Sequence, residues 1–314
     1  MDLVEEIAQK TALQGIYLSI VSLVKIHKNL TAKAIAKALD FTEFRFSKDT
    51  KNIIIKPNMF YYRHYSTGET TDPAFIGALI EVLRQKIKSD IKISIVESDA
   101  SAMKCKHVFK FLGYDKLSRD YDVDLVNLSE EKFDSTQIKA GSFSFPLMIP
   151  RIIRNADLRI NVPKLKYSKK ELGITCAMKN LYGCNPYPKK YKLHPRLGEA
   201  IVAINKAMKF NLCLLDGNIV SGVQTSKLGL VMASQDPVAF DAAAARIAGL
   251  NPNKIEYLKL ARKEELGTIA FTERGIPIDY FSGWYPKRSV TMELKYEALH
   301  LLVRTGLSAK LCLS

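Results

Sequence analysis

A chain of 314 residues, 47% apolar and 25% charged, is long enough to bury a large core and too apolar to remain disordered. Its 47 Lys and Arg against 32 Asp and Glu give a formal charge of +15, which favours phosphate, carboxylate, nucleic acid or acidic lipid as partner without choosing among them. The five cysteines, at 105, 176, 184, 213 and 312, are odd in number and scattered, which argues against a disulfide framework and for a reducing, cytoplasmic setting.

The opening MDLVEEIAQK is acidic where a secretory signal needs a basic start. The apolar run that follows, ALQGIYLSIVSLV, is shorter than a bilayer span, so no transmembrane segment is expected. Residues 1–40 read as two helices, the second being TAKAIAKALD with Thr31 at its first turn. From residue 52 the pattern becomes short apolar runs alternating with amphipathic helices. NIIIKPN is a strand, DPAFIGALIEVLRQKIK a helix capped by Asp72 with Pro73 at its first position, and IKISIVESD the next strand. A helix near 101–112, the strand VDLVNL and a hairpin through 132–146 follow. After Pro150 come a short helix, the strand ADLRINVP, a long basic loop and the helix LGEAIVAINKAMK. LCLLDG and LGLVMAS are further strands, and DPVAFDAAAARIAG is a helix capped by Asp236 and closed by Gly249.

This alternation predicts an α/β protein with a mostly parallel sheet covered by helices on both faces, as one large domain or two intimate lobes. A helical N-terminal segment over 1–45 would precede a core over 46–280. A helical appendage over 281–314, carrying MELKYEALHLLVRTGL, would follow.

In such folds ligands bind beyond the carboxyl ends of the strands. Those ends carry Lys56 and Asn58, then Glu97, Ser98 and Asp99, then Asn161, Lys164 and Lys166, then Asp216, then Ser234 and Asp236. Lysines, asparagines and carboxylates in these places have the makings of one polar cleft. Between Lys164 and Arg196, both included, nine Lys or Arg face the single acid Glu171. Within that segment Cys176, Cys184 and His194 match no zinc or iron-sulfur spacing, so no metal ligands are assigned. No phosphate-loop or dinucleotide fingerprint is present, which leaves the cofactor unknown. Lysines interleaved with Tyr167, Tyr182, Tyr187 and Tyr191 keep a nucleic-acid surface open as an alternative. Lys179 and Asn180 differ from the rest, because ITCAM before and LYG after predict a short, partly buried helix. A lysine drawn into such a place must find an anion or lose its charge.

IIIKPN, TTDPAFIGALIEVL, IVESDAS, FLGY, ADLRINVPKLK, GITCAMKNLYG, LLDGNIV and VMASQDPVAFDAAAARIAGL, in that order between about residues 52 and 275, resemble the family known as domain of unknown function 362, described as iron-sulfur-associated proteins of uncharacterised activity. Carried over position by position, the resemblance points to Lys56, Asn58, Asp72, Glu97, Lys164, Lys166, Lys179, Asn180, His194, Asp216, Asp236 and Asp241. Many relatives append a ferredoxin-like C-x-x-C-x-x-C-x-x-x-C-P run that is absent here, and Tyr167 and Ser168 follow KLK where relatives place a histidine. More loosely, the order of elements is similar to lactate-racemase-like proteins, in which such a lysine anchors a nickel cofactor. That similarity implies Lys179 and His194 facing one cleft.

The expected function is that of an enzyme acting on a small anionic metabolite. Lys179 or His194 would transfer a proton, Asp216 or Glu97 would orient them, and Lys56, Asn58, Asp72, Lys164, Lys166, Asn180, Asp236 and Asp241 would bind the substrate. A nucleic-acid-binding protein and an iron-sulfur-linked redox protein are the alternatives.

Overall fold

The apolar runs of the sequence become the inner strands of a large sheet. The structure is a computed structural model that describes residues 18–28, 30–168, 172–187 and 189–287. Its strands are β1 (Ser19–Lys25), β2 (Asn52–Pro57), β3 (Lys92–Glu97), β4 (Asp124–Asn127), β5 (Phe133–Ala140), β6 (Phe143–Pro150), β7 (Leu158–Val162), β8 (Lys166–Tyr167), β9 (Ile174–Thr175), β10 (Leu212–Ser221), β11 (Thr225–Ser234) and β12 (Phe271–Gly275). The main sheet runs β12-β1-β11-β10-β7-β2-β3-β4, with β8 on β10 and β9 on β8, while β5 and β6 form a separate hairpin. Pairing is parallel from β10 through β7, β2 and β3 to β4, and antiparallel where β11 meets β10 and β1.

The two-residue period of a strand divides the core. Ile53 and Ile55 turn to one face, where they join Ile93, Ile95 and Ile160 under α1 (Thr31–Phe41), α2 (Pro73–Lys86), α3 (Cys105–Phe111) and α4 (Tyr114–Tyr121). Ile54, Val96 and Leu215 turn to the other, under α7 (Leu197–Met208), α8 (Pro237–Ile247) and α9 (Glu256–Lys263). The remaining helices are α5 (Arg151–Arg154), α6 (Ala177–Asn180) and α10 (Ile278–Trp284). This is the expected α/β architecture, a mostly parallel sheet between helical layers.

The N-terminal segment departs from expectation. Residues 19–25, assigned to a helix from the sequence, are strand β1. It lies antiparallel to β11, with Ser22 opposite Ala233, and parallel to β12, with Leu23 opposite Gly275. A short apolar run has no decisive period of its own, and the open ladder edge of β11 settles it. Gly275, at φ +100°, fits there because a Cβ would come within 2.3 Å of the Leu23 carbonyl oxygen. The part of that first expected helix before residue 18 and the helix over MELKYEALHLLVRTGL lie outside the described residues.

The two Asp-Pro sequences do start helices. Asp72 Oδ1 accepts from the Ala74 amide at 2.8 Å, and Asp236 Oδ1 accepts from Val238 and Ala239 at 2.7 and 3.0 Å. The second Asp236 oxygen accepts from Ser19 Oγ at 2.7 Å and from the Thr268 amide at 2.9 Å, which ties β1 to the start of α8.

Chain order and sheet order together locate the crevice. From β2 the chain builds outward through β3 and β4, then returns to the opposite side of β2 as β7 and continues to β10. The direction of winding therefore reverses between β2 and β7, and the loops beyond their carboxyl ends part.

Candidate functional site

A cavity of about 480 Å³ opens at that place. The end of β2 supplies Lys56 and Asn58, and the following loop Met59, Phe60, Tyr61 and Glu69. β3 supplies Glu97, β8 Lys166, α6 Lys179 and Asn180, and the segment after it Tyr182, Gly183, Lys190, Tyr191 and His194. The lining thus holds four lysines and two glutamates between aromatic and thioether walls.

Each charge has a different setting. Lys56 is 1% exposed and donates to Glu97 Oε2 at 2.7 Å and to the Pro57 carbonyl at 2.6 Å. The other Glu97 oxygen accepts from the Ser98 amide at 2.9 Å. Glu69 pairs outward with Arg63 at 3.0 Å. Lys166 donates to Asn58 Oδ1 at 3.2 Å and to the Glu69 carbonyl at 3.1 Å, and lies 4.5 Å from the centre of the Phe60 ring. Burial lowers its amine to about 7, with the charges of Lys179 and Lys164 adding to the effect and Glu69 opposing it. Lys190 is buried and donates to the Asp99 carbonyl, and burial lowers its amine too.

Lys179 stands 3.9 Å from the centre of the Tyr182 ring, and its amine has no hydrogen-bond acceptor among the described residues. Burial lowers it to about 8, with Lys190 and Lys56 contributing. His194 sits at the exposed mouth beside the same ring, at 6.1 Å, and is held below its usual range by burial and by Lys179.

Lys179 is held in place from beneath. Asn180 donates to Asn161 Oδ1 at 2.8 Å and to the Lys56 carbonyl at 3.2 Å, while Asn161 donates to the Ala177 carbonyl at 2.8 Å. Asp241, fully buried, accepts from the amides of Ala177 and Met178 at 2.7 and 3.2 Å and from the Tyr257 hydroxyl at 3.0 Å. Burial raises its carboxyl to about 7. Tyr182 is fixed by its hydroxyl, which donates to the Lys190 carbonyl at 2.6 Å.

Of the twelve residues expected to share a cleft, the structure brings Lys56, Asn58, Glu97, Lys166, Lys179, Asn180 and His194 around this cavity. The other five lie elsewhere. Lys164 and Asp216 pair with each other at 3.1 Å, each 1% exposed, and Asp216 also accepts from the Asp72 amide at 2.9 Å. That pair closes off from solvent and leaves neither group for a substrate. Asp72 caps its helix through Oδ1 and Asp236 uses both oxygens at its helix start, and Asp241 holds α6 from below rather than lining the cavity. Sequence reasoning missed Glu69 and Lys190. Lys190 lies in the run KKYK, where nothing marks which lysine turns inward, whereas Lys189 and Lys192 are exposed.

The lining does not suit a metal. It offers one imidazole, His194, and one thiol, Cys176, while its two carboxylates, Glu69 and Glu97, are paired with Arg63 and Lys56. Among the described residues no three His, Cys, Asp or Glu side chains gather to hold an ion. Cys105, Cys176, Cys184 and Cys213 form no such group either, so the described residues offer no ligand set for an iron-sulfur cluster.

Gly183 sits where a side chain would not fit. A Cβ there would meet Glu97 Oε1 at 2.8 Å and Lys56 Cε at 3.0 Å. Gly183→Ala is therefore expected to destabilise the protein by about 1–3 kcal/mol through overpacking of the ion pair. A shift of the urea midpoint checks this, and an unchanged midpoint would show that the pair yields freely.

The model of the family described as Domain of unknown function (DUF362) matches residues 53–246, which include every residue of the site from Lys56 to His194. The chain belongs to that family. A DUF362 chain of this kind is 28% identical over 235 residues to a thylakoid-associated protein of Synechocystis sp., an alignment covering 71% of this chain and 70% of the relative. Among solved structures, the lactate racemase apoprotein of Thermoanaerobacterium thermosaccharolyticum gives a TM-score of 0.45 at 13% identity, over 74% of this chain and 57% of that one. This DUF362 chain thus spans less than two thirds of the racemase's length. None of its described helices is long and apolar enough to cross a membrane.

Proposed function

We propose that this protein binds a small organic anion, a carboxylate or phosphate, in the cavity beyond β2 and β7, and acts on it by proton transfer. The observation that carries the reading is an excess of amines over available carboxylates. Glu97 is taken by Lys56 and Glu69 by Arg63, so Lys166, Lys179 and Lys190 have no carboxylate in contact among the described residues. Amines gathered with no carboxylate in contact repel one another when charged, and an anion placed among them relieves that repulsion. Lys166 and Lys190 hold the anion in this reading. Lys179, lowered to about 8, is near enough to neutrality to take and return a proton. The four described cysteines are unpaired, which suits the cytoplasm as the place of action.

An anion stabilises the charged amines, so binding takes up protons and weakens as pH rises through about 7 to about 8, the values of Lys166 and Lys179. Lys166→Ala should weaken binding by about 1.5–3 kcal/mol, roughly 10- to 100-fold. Calorimetric titration of a panel of carboxylates and phosphates across that pH range measures both. Affinity independent of pH and of Lys166 would refute the reading. A nucleic acid on the segment 164–196 would instead show binding that falls log-linearly and steeply with salt.

A further inference from the structure

Lys179 differs from its three neighbours in the cavity in one respect. Lys56 is bonded to Glu97 and the Pro57 carbonyl, Lys166 to Asn58 and the Glu69 carbonyl, and Lys190 to the Asp99 carbonyl. Those hydrogen bonds occupy hydrogens of each amine and hold it in one place. Lys179 has only the face of the Tyr182 ring, at 3.9 Å, and no acceptor among the described residues. Its backbone is fixed on four sides, by Asp241 on the Ala177 and Met178 amides and by Asn180 on Asn161 and the Lys56 carbonyl. A rigid mount with a free amine at its tip is the arrangement a nucleophile needs.

We propose that Lys179 is a covalent nucleophile that forms an imine with a carbonyl-bearing anion, an oxo acid or an aldehyde phosphate, seated in the cavity by Lys166 and Lys190. The proposal rests on the anion-binding reading and names the substrate class that it would serve. In the step, the neutral amine attacks the carbonyl carbon, a C–N bond forms and the π electron pair moves to oxygen. A proton passes from nitrogen to that oxygen, giving a carbinolamine. Loss of the hydroxyl with the second amine hydrogen, as one water, leaves the imine. Atoms balance with no oxidant or reductant. The walls of Met59, Phe60, Tyr61 and Met103 favour release of that water by keeping the cavity partly dry. The three other lysines keep the neighbourhood cationic, which favours the neutral form of an amine among them, as in other enzymes that use a lysine nucleophile.

The lowered amine sets Lys179 apart from surface lysines, and the bonds of Lys166 to Asn58 and the Glu69 carbonyl set it apart from that lowered neighbour. With Lys179 at about 8 against an ordinary lysine at 10.5, the fraction present as free amine near neutral pH is larger by roughly a hundredfold or more. The test is reductive trapping of the full chain. The protein is mixed with pyruvate, and separately with pyridoxal 5′-phosphate, at equal molar amounts. Sodium cyanoborohydride is then added and the modified lysine located by peptide mass mapping. One adduct, on Lys179, is expected with either carbonyl probe. It should form faster as pH rises to about 8 and disappear in Lys179→Arg, whose fold is checked by circular dichroism. Adduct spread over exposed lysines, or placed first on Lys166, overturns the proposal. Binding of inorganic phosphate separates it from its premise: if wild type binds phosphate yet traps no carbonyl, the imine is wrong and the anion site stands. If it binds neither, both fall.

Discussion

Replacing Glu97 with alanine is expected to destabilise the protein by about 3–5 kcal/mol, roughly 6–20 °C in Tm, more than any other single truncation in the site. Lys56 and Glu97 are 1% and 2% exposed, and their 2.7 Å contact joins the ends of β2 and β3. Removing one partner leaves a buried charge unpaired, which costs far more than the pair contributes when intact. The loss also spreads. The Ser98 amide loses its acceptor on Glu97, and the Ser98 hydroxyl, which donates to the carbonyls of Gly183 and Asn185, anchors the segment that carries Lys190. The matching control is the double change Lys56→Met with Glu97→Leu, which removes both charges and keeps the volume. It should fall within about 2 kcal/mol of wild type, because no unpaired charge remains. Guanidinium unfolding of the three proteins measures this. If the double variant proved as unstable as Glu97→Ala, the site would depend on the ion pair itself rather than on avoiding a stranded charge.

The contrast between that pair and the one beside it shows what the sequence could reveal. Lys56, Lys164 and Lys166 all follow apolar strands, and by residue type and position they are equivalent. Lys166 reaches the cavity; Lys164, two residues earlier, meets Asp216 from β10 and is sealed off. The partner is 52 residues away in the chain and on another strand, so no local pattern distinguishes the two lysines. Local rules did carry the frame. Runs such as NIIIKP and KISIVE are too short and too rich in β-branched residues for helices. Asp-Pro at 72–73 and 236–237 marked helix starts with one-residue accuracy, since a side-chain cap and a proline in the first turn act within three residues. The same signal did not show that the two Asp-Pro aspartates stand away from the cavity, since a cap is local and the cavity is not. β1 failed for the opposite reason: its seven residues have no preference that outweighs the ladder waiting on β11. Lys179 was legible because burial could be inferred from its apolar flanks, whereas the inward turn of Lys190 depends on the Asp99 carbonyl, 91 residues earlier.

Asp241→Asn is expected to change how stability depends on pH, and by an amount comparable to the loss at Glu97. The Asp241 carboxyl titrates at about 7 in the fold against 3.8 when exposed, with burial the leading cause and four hydrogen bonds opposing it. Between about pH 4 and about pH 7 the folded protein therefore keeps a proton that the unfolded chain has released. Stability must fall as pH rises across that window, by about 1.4 kcal/mol per unit and roughly 4 kcal/mol in total from this group. Below the window the group contributes no penalty, and above it the full penalty is present. Asparagine keeps one oxygen for the Ala177 amide and cannot titrate, so its stability curve should lack that slope. It gives up the oxygen that accepts from the Met178 amide and the Tyr257 hydroxyl, at about 1–2 kcal/mol, so the variant lies below wild type near pH 4 and above it near pH 8. Urea unfolding at a series of pH values reads the crossing, and two parallel curves would mean that Asp241 does not carry the proton. The cost that wild type accepts at neutral pH is tied to position. A charged carboxylate grips two consecutive amides at the start of α6, two residues before Lys179, and an amide grips one. Asp241→Asn should therefore loosen the mount of Lys179, so that the proposed anion binding weakens in a protein that is more stable above pH 7.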